Sequence, residues 1–127
     1  MTVCDASALL AFLQGEPGAQ VVEQALVDGA VCSAANWSEV AQKVVGRGGS
    51  WPAAKAILTS FDLAVEPVTA ADAERAADLW QSWPHLSLGD RLCLALAYRL
   101  DVVALTADQA WAATSAKVQL IRGQDMS

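Results

Sequence analysis

The sequence predicts an α/β fold in which helices flank a central parallel sheet of four to five strands. Short β-branched runs alternate with longer amphipathic segments along the chain. Segments of helical length separate consecutive strand candidates, which favours parallel pairing with right-handed crossovers. The 26 alanines among 127 residues also favour many closely packed helices. At this length we expect one domain that spans residues 1–127.

Five short segments are predicted strands because each is rich in β-branched or apolar residues and is bounded by turn-forming residues. They are residues 2–4, 30–33, 63–68, 101–106 and 118–121. Because no tight hairpin signal joins them, the carboxyl ends of these strands are expected at one edge of the sheet.

Six helices are predicted between the strands, because apolar residues recur there at the spacing of one helix face. Gly15 and Gly18 divide the first two helices, and the glycine-rich residues 46–50 divide the third from the fourth. Thr69, followed three residues later by Asp72, is a capping pattern at the start of the fifth helix. The predicted helices cover residues 9–13, 21–26, 37–45, 51–61, 70–83 and 87–100.

Composition and charge exclude several classes of protein. The chain has a formal net charge of −6 and is 54% hydrophobic, which is typical of an acidic globular protein and not of a disordered one. None of its eight Lys and Arg residues are adjacent, so nucleic-acid binding needs positive charge from another source. The apolar runs are too short for a membrane span and the N-terminus lacks a secretory pattern, so a cytoplasmic protein is expected. Three cysteines without paired spacing are expected to be buried and free.

Acidic residues follow the predicted strands where ligand sites of parallel sheets lie. Asp5 comes directly after the first strand, Glu39 lies in the helix after the second, and Asp108 lies two residues beyond the fourth. Asp90 opens the last helix. Because converging carboxylates repel one another unless a cation lies between them, this set predicts a bound hard ion, Mg²⁺ or Mn²⁺.

Each of these carboxylates also has a purely structural interpretation. Acidic residues stabilise the first turn of a helix, and both Asn36-x-x-Glu39 and Ser87-x-x-Asp90 resemble capping boxes. Asp72 shows the same pattern and is assigned no chemistry. The set of four at one edge therefore carries the metal hypothesis, and no single residue does.

Four segments occur in a distinctive order: VCDASALL at 3–10, NWSEV at 36–40, LSLGDRLCLALA at 86–97 and LTADQAW at 105–111. Together they resemble the PIN (PilT N-terminal) domain family, in particular the VapC-like toxin ribonucleases of bacterial toxin–antitoxin systems. The resemblance covers nearly the whole chain and implies a PIN-like three-layer sandwich. It implies a Mg²⁺- or Mn²⁺-dependent endoribonuclease that hydrolyses RNA phosphodiester bonds, and the toxin of a VapBC-type pair that inhibits translation by cleaving tRNA or rRNA.

The resemblance also assigns residues and partners. The acids that it assigns to metal binding and catalysis are Asp5, Glu39, Asp90 and Asp108. Ser7 and Thr106 match small hydroxyl positions that orient carboxylates or water. The implied partners are an RNA substrate, a cognate antitoxin protein and a second copy of the chain in a homodimer.

Two basic residues near the acids are predicted to contact RNA phosphates. Arg91 lies beside Asp90, and Lys43 lies one helical turn from Glu39. For Lys43 an ordinary ion pair with Glu39 at i,i+4 is the alternative. His85 is expected to be a loop residue without a catalytic role.

Other functions stay open at this point. The chain could be a non-toxin PIN-domain nuclease of RNA processing, a non-catalytic binding module on the same fold, or a Mg²⁺-binding receiver-type signalling domain. The receiver needs an Asp at the end of the third strand and a Lys at the end of the last, and the sequence fits neither. Whether one or two ions bind is also open, as is whether Trp51, Trp80 and Trp83 lie in the core or at a partner interface.

Overall fold

The computed structural model describes residues 1–114 and 117–122. Its strands are β1 (Thr2–Cys4), β2 (Ala30–Ser33), β3 (Leu63–Glu66), β4 (Val103–Thr106) and β5 (Val118–Leu120). They form one sheet in the order β3-β2-β1-β4-β5, and every neighbouring pair is parallel. The predicted central parallel sheet is therefore confirmed, with five strands.

Six α-helices flank this sheet, as predicted. They are α1 (Ala6–Gln14), α2 (Ala19–Asp28), α3 (Ala34–Gly46), α4 (Trp51–Thr59), α5 (Ala70–Ser82) and α6 (Leu88–Leu100). A short 3-10 helix, Gln109–Ala113, follows β4 and was not predicted.

Helix α3 begins earlier than the predicted residue 37 because Ser33 caps it. The Ser33 hydroxyl accepts a hydrogen bond from the backbone amide of Ala35 at 3.1 Å. The interpretation of Asn36 and Glu39 as a capping box is therefore wrong, since both lie inside the helix. The side chains of Asn36 and Glu39 do not cap α3 and can therefore contact other groups.

The other two predicted capping patterns are confirmed. Thr69 with Asp72 and Ser87 with Asp90 each form a reciprocal capping box, at the starts of α5 and α6. In both, the carboxylate accepts from the backbone amide of the capping residue at 3.2 Å. The two helices thus begin in the same way, which makes Asp72 a natural control for Asp90.

Two strand ends differ from the prediction for local reasons. Strand β3 ends at Glu66, because the next residue, Pro67, has no amide to donate to a ladder. Strand β4 begins at Val103, because Asp101 adopts φ 54° in the left-handed region and ends α6.

Two apolar clusters cover the two faces of the sheet. Cys4 and Leu105 belong to a cluster with α1, α2 and α4, whereas Val3 and Ala104 belong to a cluster with α6. Neighbouring strand residues point to opposite faces, so this division follows from the alternation of β1 and β4. The sandwich of helix, sheet and helix layers predicted from the sequence is confirmed.

The three cysteines are free and buried, as predicted. Burial, together with the nearby charge of Asp5, raises the pKa of the Cys4 thiol to about 12. Burial likewise raises the pKa of Cys32 to about 12. Thiols in this state are neutral and unreactive near neutral pH, so they act as packing residues.

The tryptophans divide between the core and the surface. Trp51 is half-buried and packs edge-on against Trp37, with ring centroids 5.0 Å apart. Trp83 is half-buried against the α6 cluster, and Trp111 is fully buried. Trp80, in contrast, is 54% exposed. In residues 1–114 and 117–122, no helix has the length and hydrophobicity of a membrane span.

A partly buried ion pair joins α5 to α6 and predicts a pH-dependent stability. Arg99 donates to the Asp72 carboxylate at 2.9 and 3.1 Å, and Asp72 is only 4% exposed. Burial opposes ionisation, but the hydrogen bonds and charge of Arg99 outweigh it and lower the pKa of Asp72. A lowered pKa stabilises the fold above the ordinary pKa of Asp, and this contribution is lost as pH falls through the lower value.

We therefore expect Asp72→Asn to lower the free energy of unfolding by about 2 kcal/mol at neutral pH, less than for a fully buried pair because Arg99 is one-third exposed. Urea denaturation at about pH 7 and at about pH 3 measures this difference, which should shrink at the lower pH. Asp101→Asn is the control, since Asp101 pairs with Lys117 at the surface and Asn tolerates the left-handed backbone. Equal effects of the two substitutions would contradict the expectation.

Candidate functional site

Asp5 lies at the carboxyl end of the central strand β1 and caps α1. Its Oδ1 accepts a hydrogen bond from the backbone amide of Ala8 at 2.8 Å, and its own amide donates to the carbonyl of Leu105 on β4 at 3.1 Å. The residue is 2% exposed. Asp5 thus follows the end of β1 and begins α1, and the fold buries its side chain.

Two hydroxyls hold the Asp5 carboxylate. Thr106 Oγ1 donates to Asp5 Oδ2 at 2.6 Å, and Ser7 Oγ donates to the same carboxylate at 2.7 and 2.9 Å. Ser7 Oγ in turn accepts from the amide of Ala107 at 2.9 Å. The two residues assigned by resemblance to orient carboxylates thus contact Asp5 directly.

Asp108 joins the same network through Thr106. The Asp108 backbone amide donates to Thr106 Oγ1 at 3.0 Å, and the Asp108 carboxylate accepts from the amide of Ala110 at 2.9 Å. The side chain is exposed and begins the 3-10 helix. Asp5, Ser7, Thr106 and Asp108 therefore form one hydrogen-bonded group, called here the Asp5 group.

A second group contains Glu39 and the start of α6. Asn36 Nδ2 donates to Glu39 Oε1 at 2.7 Å and to the carbonyl of Gly89 at 3.2 Å. The Glu39 carboxylate fills the space that a side chain on Gly89 would need: a Cβ built there lies only 2.7 Å from Glu39 Cδ. Gly89 directly precedes Asp90, so Asn36, Glu39, Gly89 and Asp90 are called here the Glu39 group.

The charges of the two groups interact. The pKa of Asp5 is raised to about 6, chiefly by burial and to a smaller extent by the negative charge of Asp90. Hydrogen bonds from Thr106, Ala8 and Ser7 oppose this rise. The charge of Asp90 therefore acts on Asp5 and opposes its ionisation. A cation placed between them would relieve this repulsion.

The donors at this edge suit a hard divalent cation. All the side chains involved offer oxygen, and Asp5 is a buried carboxylate held by hydroxyls and an amide instead of by a basic residue. Within the described ranges, no three acidic, histidine or cysteine side chains are close enough to enclose a metal by themselves. Mg²⁺ ordinarily keeps several waters and uses only one or two carboxylates, so an open arrangement of this kind fits it.

The basic residues near the site have different surroundings. Arg91 donates through Nη1 to the carbonyl of Ala76 at 2.8 Å and through Nε to that of Leu86 at 3.3 Å, which ties α6 to α5. Lys43 is exposed, and no ion pair between it and Glu39 is found among the described residues. Glu39 takes its hydrogen bond from Asn36 instead.

His85 lies in the loop between α5 and α6, as expected. It is exposed, and its Nε2 lies 3.5 Å from the carbonyl of Ala110 in the 3-10 helix. This weak contact links the loop before Asp90 to the segment after Asp108.

The sequence analysis assigned no role at the site to Asn36 or Gly89. Asn36 stands three residues before Glu39, a spacing that puts both side chains on one helix face. Gly89 stands in the first turn of a helix, where glycine is unfavourable unless a close approach requires it. Both signals were visible in the sequence, but their meaning depended on the contact between α3 and α6.

Comparison with known proteins identifies the family and the fold of the chain. The model of the PIN domain family matches residues 2–117. A comparison with curated protein sequences finds no match.

Several solved structures share the fold. A toxin–antitoxin complex from Klebsiella pneumoniae aligns with a TM-score of 0.80 at 19% identity, over 98% of this chain and 100% of that chain. The toxin VapC20 of Mycobacterium tuberculosis, described as cleaving the sarcin-ricin loop, aligns with a TM-score of 0.73 at 20% identity, over 91% and 96% of the two chains. VapBC2 from Rickettsia felis, bound to a DNA fragment from its promoter, aligns with a TM-score of 0.74 at 11% identity, over 94% and 97%.

Proposed function

The chain belongs to the PIN domain family, and from this premise we propose that it is a Mg²⁺- or Mn²⁺-dependent endoribonuclease. The observation that carries the proposal is the buried Asp5 carboxylate, oriented by Ser7 and Thr106 and repelled by Asp90 at the carboxyl edge of the sheet. The family match also disfavours the receiver-type signalling domain. The proposed metal ligands are Asp5, Glu39, Asp90 and Asp108, each binding the cation directly or through one of its waters.

A bound divalent cation would supply an activated water and would stabilise negative charge on the scissile phosphate. The residues of the chain supply the carboxylates and hold them in position. Thr106 and Ser7 fix the rotation of the Asp5 carboxylate through their hydrogen bonds. The capping box with Ser87 holds Asp90 at the start of α6.

Charge at the site also explains how an acidic protein would bind RNA. The four carboxylates repel phosphate until cations neutralise them, so RNA binding should depend on the same ions as cleavage. Lys43, which is exposed and lies one turn beyond Glu39, is the proposed phosphate contact in α3. Arg91 is a second proposed contact. Its Nε and Nη1 donate to carbonyls, and its Nη2 is the proposed contact to a phosphate.

The biological role proposed is that of a toxin in a VapBC-type pair. The Klebsiella pneumoniae and Rickettsia felis structures are toxin–antitoxin assemblies, and VapC20 is described as cleaving the sarcin-ricin loop. By analogy, this chain would form a homodimer, bind a cognate antitoxin and cleave tRNA or rRNA in the cytoplasm. A housekeeping nuclease of RNA processing is the second candidate, and expression in growing cells separates the two: a toxin arrests growth unless its antitoxin is present.

Cleavage of total cellular RNA by the purified protein tests the enzymatic proposal. With Mg²⁺ or Mn²⁺ we expect a few discrete fragments whose mapped ends fall in tRNA or rRNA, and with excess chelator we expect none, because the carboxylates then lack their cation. Cleavage that persists in chelator would contradict metal dependence. Absence of cleavage by folded, metal-bound protein would favour a binding role for the same fold.

Substitution of Gly89 tests the placement of Glu39. Alanine at this helical position ordinarily stabilises a protein by up to about 1 kcal/mol, but here its Cβ would displace the Glu39 carboxylate. We therefore expect Gly89→Ala to keep or raise the thermal stability while cleavage falls by about 10- to 100-fold. Gly46→Ala is the matched control, because a Cβ there meets no atom within 4 Å; equal activity of both variants would contradict the assignment of Glu39.

A further inference from the structure

The side-chain amide nitrogen of Asn36 contacts both helices that carry Glu39 and Asp90. Asn36 Nδ2 donates to Glu39 Oε1 at 2.7 Å within α3 and to the carbonyl of Gly89 at 3.2 Å in the first turn of α6. The two hydrogens of this amide are thereby both used. Among the described residues, its bond to Gly89 is the only hydrogen bond between α3 and the first turn of α6.

The surroundings of Asn36 indicate that its amide nitrogen is the group that matters. The residue is 1% exposed, and its Oδ1 has no hydrogen-bond partner among the described residues. A buried acceptor without a donor costs free energy, which offsets part of what the two donated hydrogen bonds contribute to stability. Asn36 therefore contributes less to stability than its two hydrogen bonds alone would suggest, and it contacts the carboxylate of a proposed metal ligand directly. Both properties are typical of a functional position.

We propose that Asn36 is a positioning residue that sets the distance between Glu39 and Asp90 by bridging α3 to the start of α6. This inference rests on the proposed function, because it treats both carboxylates as ligands of one cation centre. The donation to Oε1 fixes the rotation of the Glu39 carboxylate and leaves Oε2 for the centre. The donation to the Gly89 carbonyl holds the first turn of α6, and with it Asp90, against Asn36. The Glu39 carboxylate lies in the space that a Cβ on Gly89 would need.

Two substitutions separate positioning from packing. Asn36→Leu keeps the shape and removes both donors together with the unpaired acceptor. Asn36→Asp also keeps the shape but turns a carboxylate oxygen toward Glu39, which repels it. Combining Asn36→Asp with Glu39→Gln restores a hydrogen bond of reversed direction and the original net charge, but not the carboxylate at position 39.

Three quantities are measured for each variant: the thermal midpoint in chelator, the Kd for Mn²⁺ from the paramagnetic signal of the free ion, and the rate of RNA cleavage. For Asn36→Leu and Asn36→Asp we expect Mn²⁺ affinity and cleavage to fall by about 10- to 100-fold, the range for residues that orient metal ligands. The midpoint of Asn36→Leu should move by less than about 5 °C. The double variant should recover the midpoint relative to Asn36→Asp and stay inactive.

Ser33→Ala is the control for a structural effect in the same helix. It removes the cap of α3 and should lower the thermal midpoint while Mn²⁺ affinity and cleavage stay unchanged. The inference is overturned if Asn36→Leu retains the Mn²⁺ affinity and cleavage rate of the unmodified protein, whatever its stability. If Asn36→Leu does not fold, Asn36→Asp decides by the same criteria. A failure of the unmodified protein to bind Mn²⁺ or cleave RNA would instead count against the proposed function.

Discussion

Replacement of Asp5 by Asn is expected to make the metal-free protein more stable and at the same time inactive. The folded pKa of Asp5, about 6, lies above the ordinary value of 3.8 because the carboxylate is buried. A raised pKa of an acid means that the fold favours the protonated form. Stability that is fully present below about pH 4 is therefore lost as pH rises through 6, and at neutral pH the unmodified protein carries a buried charge without a counter-ion.

Asparagine removes this charge and keeps the shape of the side chain. Its Oδ1 still accepts from the Ala8 amide. We expect the free energy of unfolding in chelator at about pH 7.5 to rise by about 1–2 kcal/mol, and cleavage to fall by more than about 100-fold. The increase should vanish near pH 3.5, where Asp5 is protonated in both states, and saturating Mg²⁺ should stabilise the unmodified protein more than the variant.

Denaturant titrations across this pH range, with and without Mg²⁺, measure the effect. Thr106→Val is an informative companion, since it removes the hydroxyl that donates to Asp5 Oδ2 and keeps the charge. It should lower stability and cleavage together. Loss of stability in Asp5→Asn at neutral pH would show that the carboxylate is chiefly structural.

Asp90→Asn is expected to have an equally large effect on cleavage with little effect on the fold. The new side chain can still accept from the Ser87 amide and complete the capping box. The charge that interacts with Asp5 is lost, so the pKa of Asp5 should fall toward its ordinary value. Cleavage should drop by more than about 100-fold, with stability changed by less than about 1 kcal/mol.

Asp72→Asn is the matched control for this variant. Asp72 occupies the same position in the capping box of α5, and its carboxylate pairs with Arg99 away from the site. It should lose stability and keep the cleavage rate of its folded fraction, the opposite of Asp90→Asn. Unfolding of Asp90→Asn, or full activity in it, would contradict a role for Asp90 in the metal site.

The parts of the fold that follow from local rules were predictable from the sequence. Short runs of β-branched and apolar residues predicted the five strands, and polar caps such as Thr69 and Ser87 marked helix starts. The ends that shifted did so for reasons of backbone chemistry, such as the proline after Glu66 or the left-handed Asp101. The family resemblance was confirmed by the match over residues 2–117.

The site was predictable as a set of residue types and not as a set of contacts. Asp5 could be named because it follows a strand end, and strand ends meet at one edge in any parallel sheet. Ser7 and Thr106 could be named only through the family resemblance. The capping interpretation of Asn36 and Glu39 was wrong because the true cap, Ser33, lies three residues earlier. The contact of Asn36 with Gly89 joins residues 53 positions apart and depends on how α3 packs against α6, which no local pattern encodes.

Anomalous diffraction from crystals grown with Mn²⁺ tests the central claim most directly, because it locates the cation relative to the carboxylates. We expect a peak at the carboxyl edge of the sheet, within about 2.5 Å of oxygens of Asp5 and Asp90, with waters completing the coordination. The same peak should be absent from crystals of Asp90→Asn. An ordered Mn²⁺ elsewhere, or none at this edge under conditions that support RNA cleavage, would contradict it.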